Sequence, residues 1–187
     1  MVKKQFISAQ QLLEDSFKLG VKIIHSEFKP NFIVGIWRGG TPVGIAVQEL
    51  LEYFEIETDH IAIRTSSYEG IDKRKKDIRV HGLDYILDNI NAEDSLLIVD
   101  DVFDTGLSIE AVLNTLKTKS RKNTPDEIKV ATVYYKPGNR RTSFAPDYYV
   151  HETENWLIFP HELEGLTMDE IKLHKPEAAK LIKEVNS

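Results

Sequence analysis

The chain has 187 residues, 41% of them hydrophobic, with 24 Lys and Arg against 30 Asp and Glu, a net charge of −6 and no cysteine. That length suits one domain over residues 1–187, and the acidic balance argues against a nucleic-acid partner. No apolar run reaches the roughly 18 residues of a membrane span, and the lack of cysteine excludes disulfides, thiolate metal sites and cysteine nucleophiles and fits a reducing cytoplasm.

The basic start, Met1 to Ile7, has too short an apolar stretch for a signal peptide. Ser8-Ala9-Gln10-Gln11 reads as a capping box, opening a helix to about Phe28 whose apolar stripe is Leu12, Leu13, Phe17, Val21 and Ile24. Phe32 to Ile36 reads as the first core strand. Trp37-Arg38-Gly39-Gly40 makes a tight loop, with Trp37 as a packing neighbour, and Thr41-Pro42 reads as an N-cap with proline at the first helical position. That helix runs to about Phe54, Ile61 to Ile63 forms a second strand, and Ser66 to Gly82 is a polar, charged stretch. Ile128 to Tyr135 is another strand, and Tyr148 to Val150 is short and peripheral. Trp156 to Phe159 precedes Pro160, and Thr167-Met168-Asp169-Glu170 looks like a capping box starting one final helix. Strands alternating with helices imply an α/β fold, a mostly parallel sheet flanked by helices.

The chemistry concentrates at Leu96 to Ser108. Leu96-Leu97-Ile98-Val99 is a buried-strand pattern running into Asp100 and Asp101; Asp104 follows, then Thr105-Gly106-Leu107-Ser108 and a helical pattern through Ile109, Val112, Leu113 and Leu116. Acids at the carboxyl end of a strand lie where open α/β sheets bind ligands. Exposed amides at a helix start, with glycine and hydroxyls, make a phosphate cradle. Acids at a strand end can also serve as simple turn formers, and an Asp-Asp-x-x-Asp run also occurs, on a helix, in metal-dependent prenyl transfer. Here the preceding strand and the Thr-Gly turn point instead to a phosphate ligand carrying ribose hydroxyls or a metal.

Over these thirteen positions the segment resembles the phosphoribosyl-pyrophosphate (PRPP) motif of type I phosphoribosyltransferases. The resemblance implies that fold, with a flexible lid and a small base-binding hood. It implies that Asp100 and Asp101 accept from the ribose hydroxyls and help hold Mg²⁺, and that Thr105, Gly106, Leu107 and Ser108 bind the 5′-phosphate. Asp104 becomes the group that handles the purine proton. Arg38, Gly39 and Gly40 match the pyrophosphate loop, and Ser66-Ser67-Tyr68 matches the lid, with the basic run Lys73 to Lys76 and Arg79 after it, most of whose side chains suit a solvated loop better than a ligand site.

Lys136-Pro137 at a strand end and Glu154-Asn155-Trp156-Leu157-Ile158-Phe159-Pro160-His161-Glu162 are similar to the xanthine-guanine type of 6-oxopurine phosphoribosyltransferase. There the lysine donates to purine O6, the tryptophan stacks on the ring and the next carbonyl reads the base edge, roles that fall on Lys136, Trp156 and Leu157. His161 stands where the family has a second tryptophan, and Glu162 keeps the acid. The implied reaction takes PRPP and hypoxanthine, guanine or xanthine in purine salvage, in a dimer or tetramer. A nucleotide-sensing regulator of the same fold, or an enzyme for another base, stays open.

Overall fold

The computed structural model describes residues 3–69 and 76–185. It falls into two compact units, Met1–Leu12 with Asn155–Ser187, and Leu13–Glu154.

The larger unit is built on a six-stranded sheet of order β4-β3-β2-β5-β6-β7. Its strands are β2 (Phe32–Trp37), β3 (Asp59–Glu69), β4 (Lys76–His81), β5 (Ser95–Phe103), β6 (Glu127–Tyr135) and β7 (Tyr148–Glu152). All neighbours pair in parallel except β3 and β4, as the strand–helix alternation predicts. The central strand β5 is apolar on both faces, with Leu96, Leu97, Ile98 and Val99 all fully buried, because helices cover both sides of a parallel sheet. Helix α2 (Gly40–Tyr53) packs on β2 and β5. On the other face, Ile86 of α3 (Asp84–Asn89) and Ile109, Val112 and Leu116 of α4 (Leu107–Ser120) join Val34, Ile36 and Ile98 in one core.

Several expectations need correction here. Helix α1 covers Ala9–His25 and ends before Phe28, at a turn in which Glu27 has φ 63°. The Ser8 hydroxyl does accept from Gln11 N at 3.1 Å. Of the expected stripe only Leu12 is buried: Leu13, Phe17 and Val21 are exposed and Ile24 is half-buried, while Leu19 and Ile23 are buried together with Asp15 and Ser16. Asp15 can be buried because His151 Nε2 lies 2.8 Å from its Oδ2 and Lys18 donates to its Oδ1 at 2.7 Å. Second, Thr41 is not the cap of α2. Gly39 takes that position, with no side-chain cap, and the buried Thr41 Oγ1 has no hydrogen-bond partner. Third, the strand expected over Ile61 to Ile63 does not stop there but spans Asp59–Glu69, running into the polar stretch Ser66 to Gly82. β3 and β4 pair as an antiparallel ladder from Arg64↔His81 to Glu69↔Lys76, and Val80 packs against the core. Residues 70–75, with Lys73, Arg74 and Lys75 of the basic run, lie outside the described residues.

The smaller unit holds a two-stranded parallel pair, β1 (Lys4–Phe6) with β8 (Trp156–Ile158). The predicted capping box is present at Thr167, reciprocally with Glu170, and opens α5 (Met168–His174). A second helix, α6 (Pro176–Val185), follows. The single helix expected here is split because Pro176 disfavours helical geometry at Lys175.

Candidate active site

The site is assembled at the carboxyl ends of β2, β5 and β6. β5 continues through Asp100 and Asp101 to Phe103, so both acids stand on strand backbone rather than on a loop. Asp101 N donates to Asp100 Oδ1 at 3.0 Å and Val102 N to Asp101 Oδ1 at 2.8 Å. Burial first, and then the Asp101 charge, push the Asp100 carboxyl well above the usual carboxylate range. Adjacent carboxylates that crowd their negative charge in this way suit a divalent cation.

The turn after β2 presses against this pair. A Cβ on Gly39 would overlap the Asp101 carboxylate, and one on Gly40 would come within 2.5 Å of Val99 O. At Gly40 the obstacle is backbone, so only glycine fits, whereas a side chain at Gly39 would displace the Asp101 carboxylate. The bond Trp37–Arg38 is cis. Trp37 is not packed inside but 56% exposed, and Arg38 is exposed beside the glycines.

Beyond β5 the chain turns through Asp104 and Thr105. Gly106, with φ 79°, caps α4. A Cβ there would lie 2.5 Å from the Phe103 ring, so both the backbone and the space require glycine. The Thr105 hydroxyl accepts from Leu107 N at 3.4 Å. The first turn of this 14-residue helix thus offers amides and the Thr105 and Ser108 hydroxyls, the donors an anion needs.

Lys136, at the end of β6, is 5% exposed. Its Nζ donates to Asp104 Oδ2 at 3.1 Å, and Asn139 Nδ2 donates to Asp104 Oδ1 at 2.8 Å. Asn139 was not singled out by the sequence, since a lone asparagine in a Pro-Gly-Asn turn reads only as turn chemistry. Glu154 was also missed as an anchor: its Oε1 accepts from Gly138 N at 2.9 Å.

Ser66, Ser67 and Tyr68, expected to belong to a lid, lie in β3 where it pairs with β4. Ser66 Oγ lies 3.0 Å from His81 Nε2, Ser67 is exposed, and Tyr68 pairs through its backbone with Asp77. Trp156 and Leu157 belong to the smaller unit, in β8. There Trp156 is exposed and Leu157 buried, and Trp156 N donates to Lys3 O at 3.0 Å. His161 stacks on Phe159 with centroids 5.8 Å apart. Glu162 accepts from Phe159 N at 2.9 Å, and Lys175 donates to Phe159 O at 2.6 Å and Pro160 O at 2.9 Å.

The phosphoribosyl transferase domain model matches residues 5–170. The chain is 31% identical over 162 residues to a xanthine-guanine phosphoribosyltransferase of Desulfotalea psychrophila, covering 85% of this chain and 86% of that one. It is 24% identical over 158 residues to a hypoxanthine-guanine phosphoribosyltransferase of Streptococcus agalactiae, covering 84% and 82% of the two chains. Among solved structures, a purine phosphoribosyltransferase from Pyrococcus horikoshii superposes with a TM-score of 0.69 at 30% identity, covering 88% of this chain and 97% of that one.

Proposed function

Because this chain belongs to the phosphoribosyltransferase family of pentosyl-transferring enzymes, we propose that it moves the 5-phosphoribosyl group from PRPP to a 6-oxopurine, releasing pyrophosphate. The observation that carries this reading is the buried Lys136 ammonium held against Asp104, at the mouth of the acid-rich turn. A donor without acceptor capacity suits an oxo group at purine position 6. The names of the relatives, hypoxanthine-guanine and xanthine-guanine phosphoribosyltransferase, support the same substrate class.

In this reading Asp100 and Asp101 accept from the ribose 2′ and 3′ hydroxyls. The amides of Thr105 to Ser108, with the two hydroxyls, hold the 5′-phosphate. Arg38 and the backbone at Gly39 and Gly40 receive the pyrophosphate. Trp156 stacks on the base and the Leu157 carbonyl reads its edge. Asp104 takes the proton at N7 as the glycosidic bond forms. The sugar passes through an oxocarbenium-like state, so the protein supplies positioning and charge stabilisation and no nucleophile. The hairpin carrying Ser66, Ser67 and Tyr68 serves as the lid that excludes water.

Mg²⁺ fits the donors present. Among the described residues no group of three or more His, Asp or Glu could hold a metal, and Mg²⁺ commonly uses one or two carboxylates with substrate oxygens and water. Asp100 and Asp101 are the two carboxylates. When bound, the ion neutralises charge on the leaving pyrophosphate.

The family match spans residues of both compact units, which supports one functional domain over 1–187. We place the enzyme in the cytoplasm as a homo-oligomer, a dimer or tetramer. A regulator that binds nucleotide without turnover, or an enzyme for another base, is the competing reading. Pyrophosphate release with PRPP, Mg²⁺ and a panel of bases separates them. Release with hypoxanthine, guanine or xanthine is the expected result. Release with none of the bases tested favours the regulator, and release with another base alone corrects the substrate.

A further inference from the structure

We propose that Asn139 is a positioning residue for Asp104, the group that retains its carboxylate when Lys136 turns to the base. This rests on the reaction assigned above. Asp104 is held on both oxygens, by Asn139 Nδ2 at 2.8 Å on Oδ1 and by Lys136 Nζ at 3.1 Å on Oδ2. A carboxylate only accepts, so the asparagine nitrogen, not its oxygen, faces it.

The lysine has two duties. Its ammonium is seated on Asp104, yet the same ammonium must donate to the purine oxygen. Reorientation toward the base weakens or breaks the contact to Oδ2. The Asp104 side chain is 41% exposed, and a half-exposed carboxylate released on one oxygen rotates. Asn139 prevents that rotation.

The turn that carries Asn139 is built for this duty. Lys136 N donates to Phe103 O at 2.9 Å and Arg141 N to Thr105 O at 3.0 Å. The two bonds tie the segment to the residues on either side of Asp104. Between them Gly138 N is fixed to Glu154 Oε1 at 2.9 Å, and a Cβ on Gly138 would lie 2.9 Å from that oxygen. The 136–141 segment therefore has little freedom to shift relative to Asp104, and the Asn139 amide is delivered from a fixed backbone.

The test compares Asn139→Ala and Asn139→Asp with the wild-type enzyme in initial rates, with KM for base and for PRPP measured separately across pH. A lost hydrogen bond to a charged group corresponds to about tenfold to a hundredfold. Asn139→Ala is expected to lower kcat/KM for the base by that amount and to leave KM for PRPP within about twofold. Asn139→Asp sets a second negative charge against Asp104, so the acidic limb of its pH–rate profile moves to higher pH. A residue that merely shaped the turn would not lower kcat/KM for the base while sparing KM for PRPP. Unchanged base kinetics and pH profile in both variants overturn the proposal, and so does an equal loss in the KM values for PRPP and base. Asp104→Asn with full turnover would remove the underlying role of Asp104. Asp104→Asn crippled beside unaffected Asn139 variants would sink only the role of Asn139.

Discussion

Lys136 is 5% exposed, and its ammonium is 3.1 Å from the Asp104 carboxylate, across 32 residues of sequence. A buried cation needs such a partner, and the pairing ties the proposed base-reading donor to the proposed proton acceptor. Asp104→Asn keeps the size but turns one of the two acceptor oxygens into a donor nitrogen, and it cannot take a proton. General acid–base groups typically contribute about 10²–10⁴-fold. We expect turnover to fall within that range with little change in PRPP affinity, read by steady-state kinetics and by PRPP titration. Unchanged turnover would remove Asp104 from the mechanism.

Base choice follows from Lys136. Adenine presents an amino group where a 6-oxopurine presents an oxygen, so two donors would face each other in a partly desolvated site. Sites built on a polar contact reject the mismatched analogue strongly. The best 6-oxopurine should be used at least about 10²-fold more efficiently than adenine, and Lys136→Ala should narrow that gap. Initial rates against base concentration at saturating PRPP decide it, and equal efficiency with adenine would reject the role of Lys136.

Asp100 trades stability for function. Burial and Asp101 raise its carboxyl in the folded chain, so folding favours the protonated form. That contribution is complete below the ordinary carboxylate range and is lost as pH rises through the folded value. Asn mimics the protonated acid. In metal-free neutral buffer Asp100→Asn should melt higher, by about 2–4 °C for each kcal/mol relieved at this chain length. Its turnover should drop by about tenfold or more with the loss of a charged acceptor. A lower melting temperature would contradict this account.

The smaller unit carries the opposite sign. Lys4 donates to Glu170 at 2.6 Å, and this bond, followed by that from Thr167 N, lowers the Glu170 carboxyl to about 2. A depressed carboxylate contributes stability that is present above its unfolded value of 4.5 and lost as pH falls toward 2. Wild-type protein should therefore melt above Glu170→Gln at pH 7, with the gap closing between pH 5 and pH 2. A gap that does not change with pH would assign the effect to packing.

The sequence by itself determined the strand–acid–turn–helix unit from Leu96 to Leu116, because every signal there is local. Four apolar residues require burial on both faces, glycine at 106 suits the φ of 79° that the turn needs, and the helix that follows has its own period. The capping box at Thr167 was legible for the same reason. Tertiary structure decided what depends on partners far along the chain. Asp15 faces inward on α1, and Leu13 and Phe17 face out, because His151, 136 residues away, satisfies the buried acid. No periodicity within the helix encodes that partner. The polar run after Ile63 continues as a ladder because β4 returns to pair with β3. Glycine is required at 40, and at 39 if the Asp101 carboxylate is to keep its place, only because the loop after β2 is driven against that carboxylate and Val99 O. Asn139 gains its place beside Asp104 only when β6 pairs with β5 and delivers its turn there. Local chemistry specified the groups, and long-range pairing set their distances.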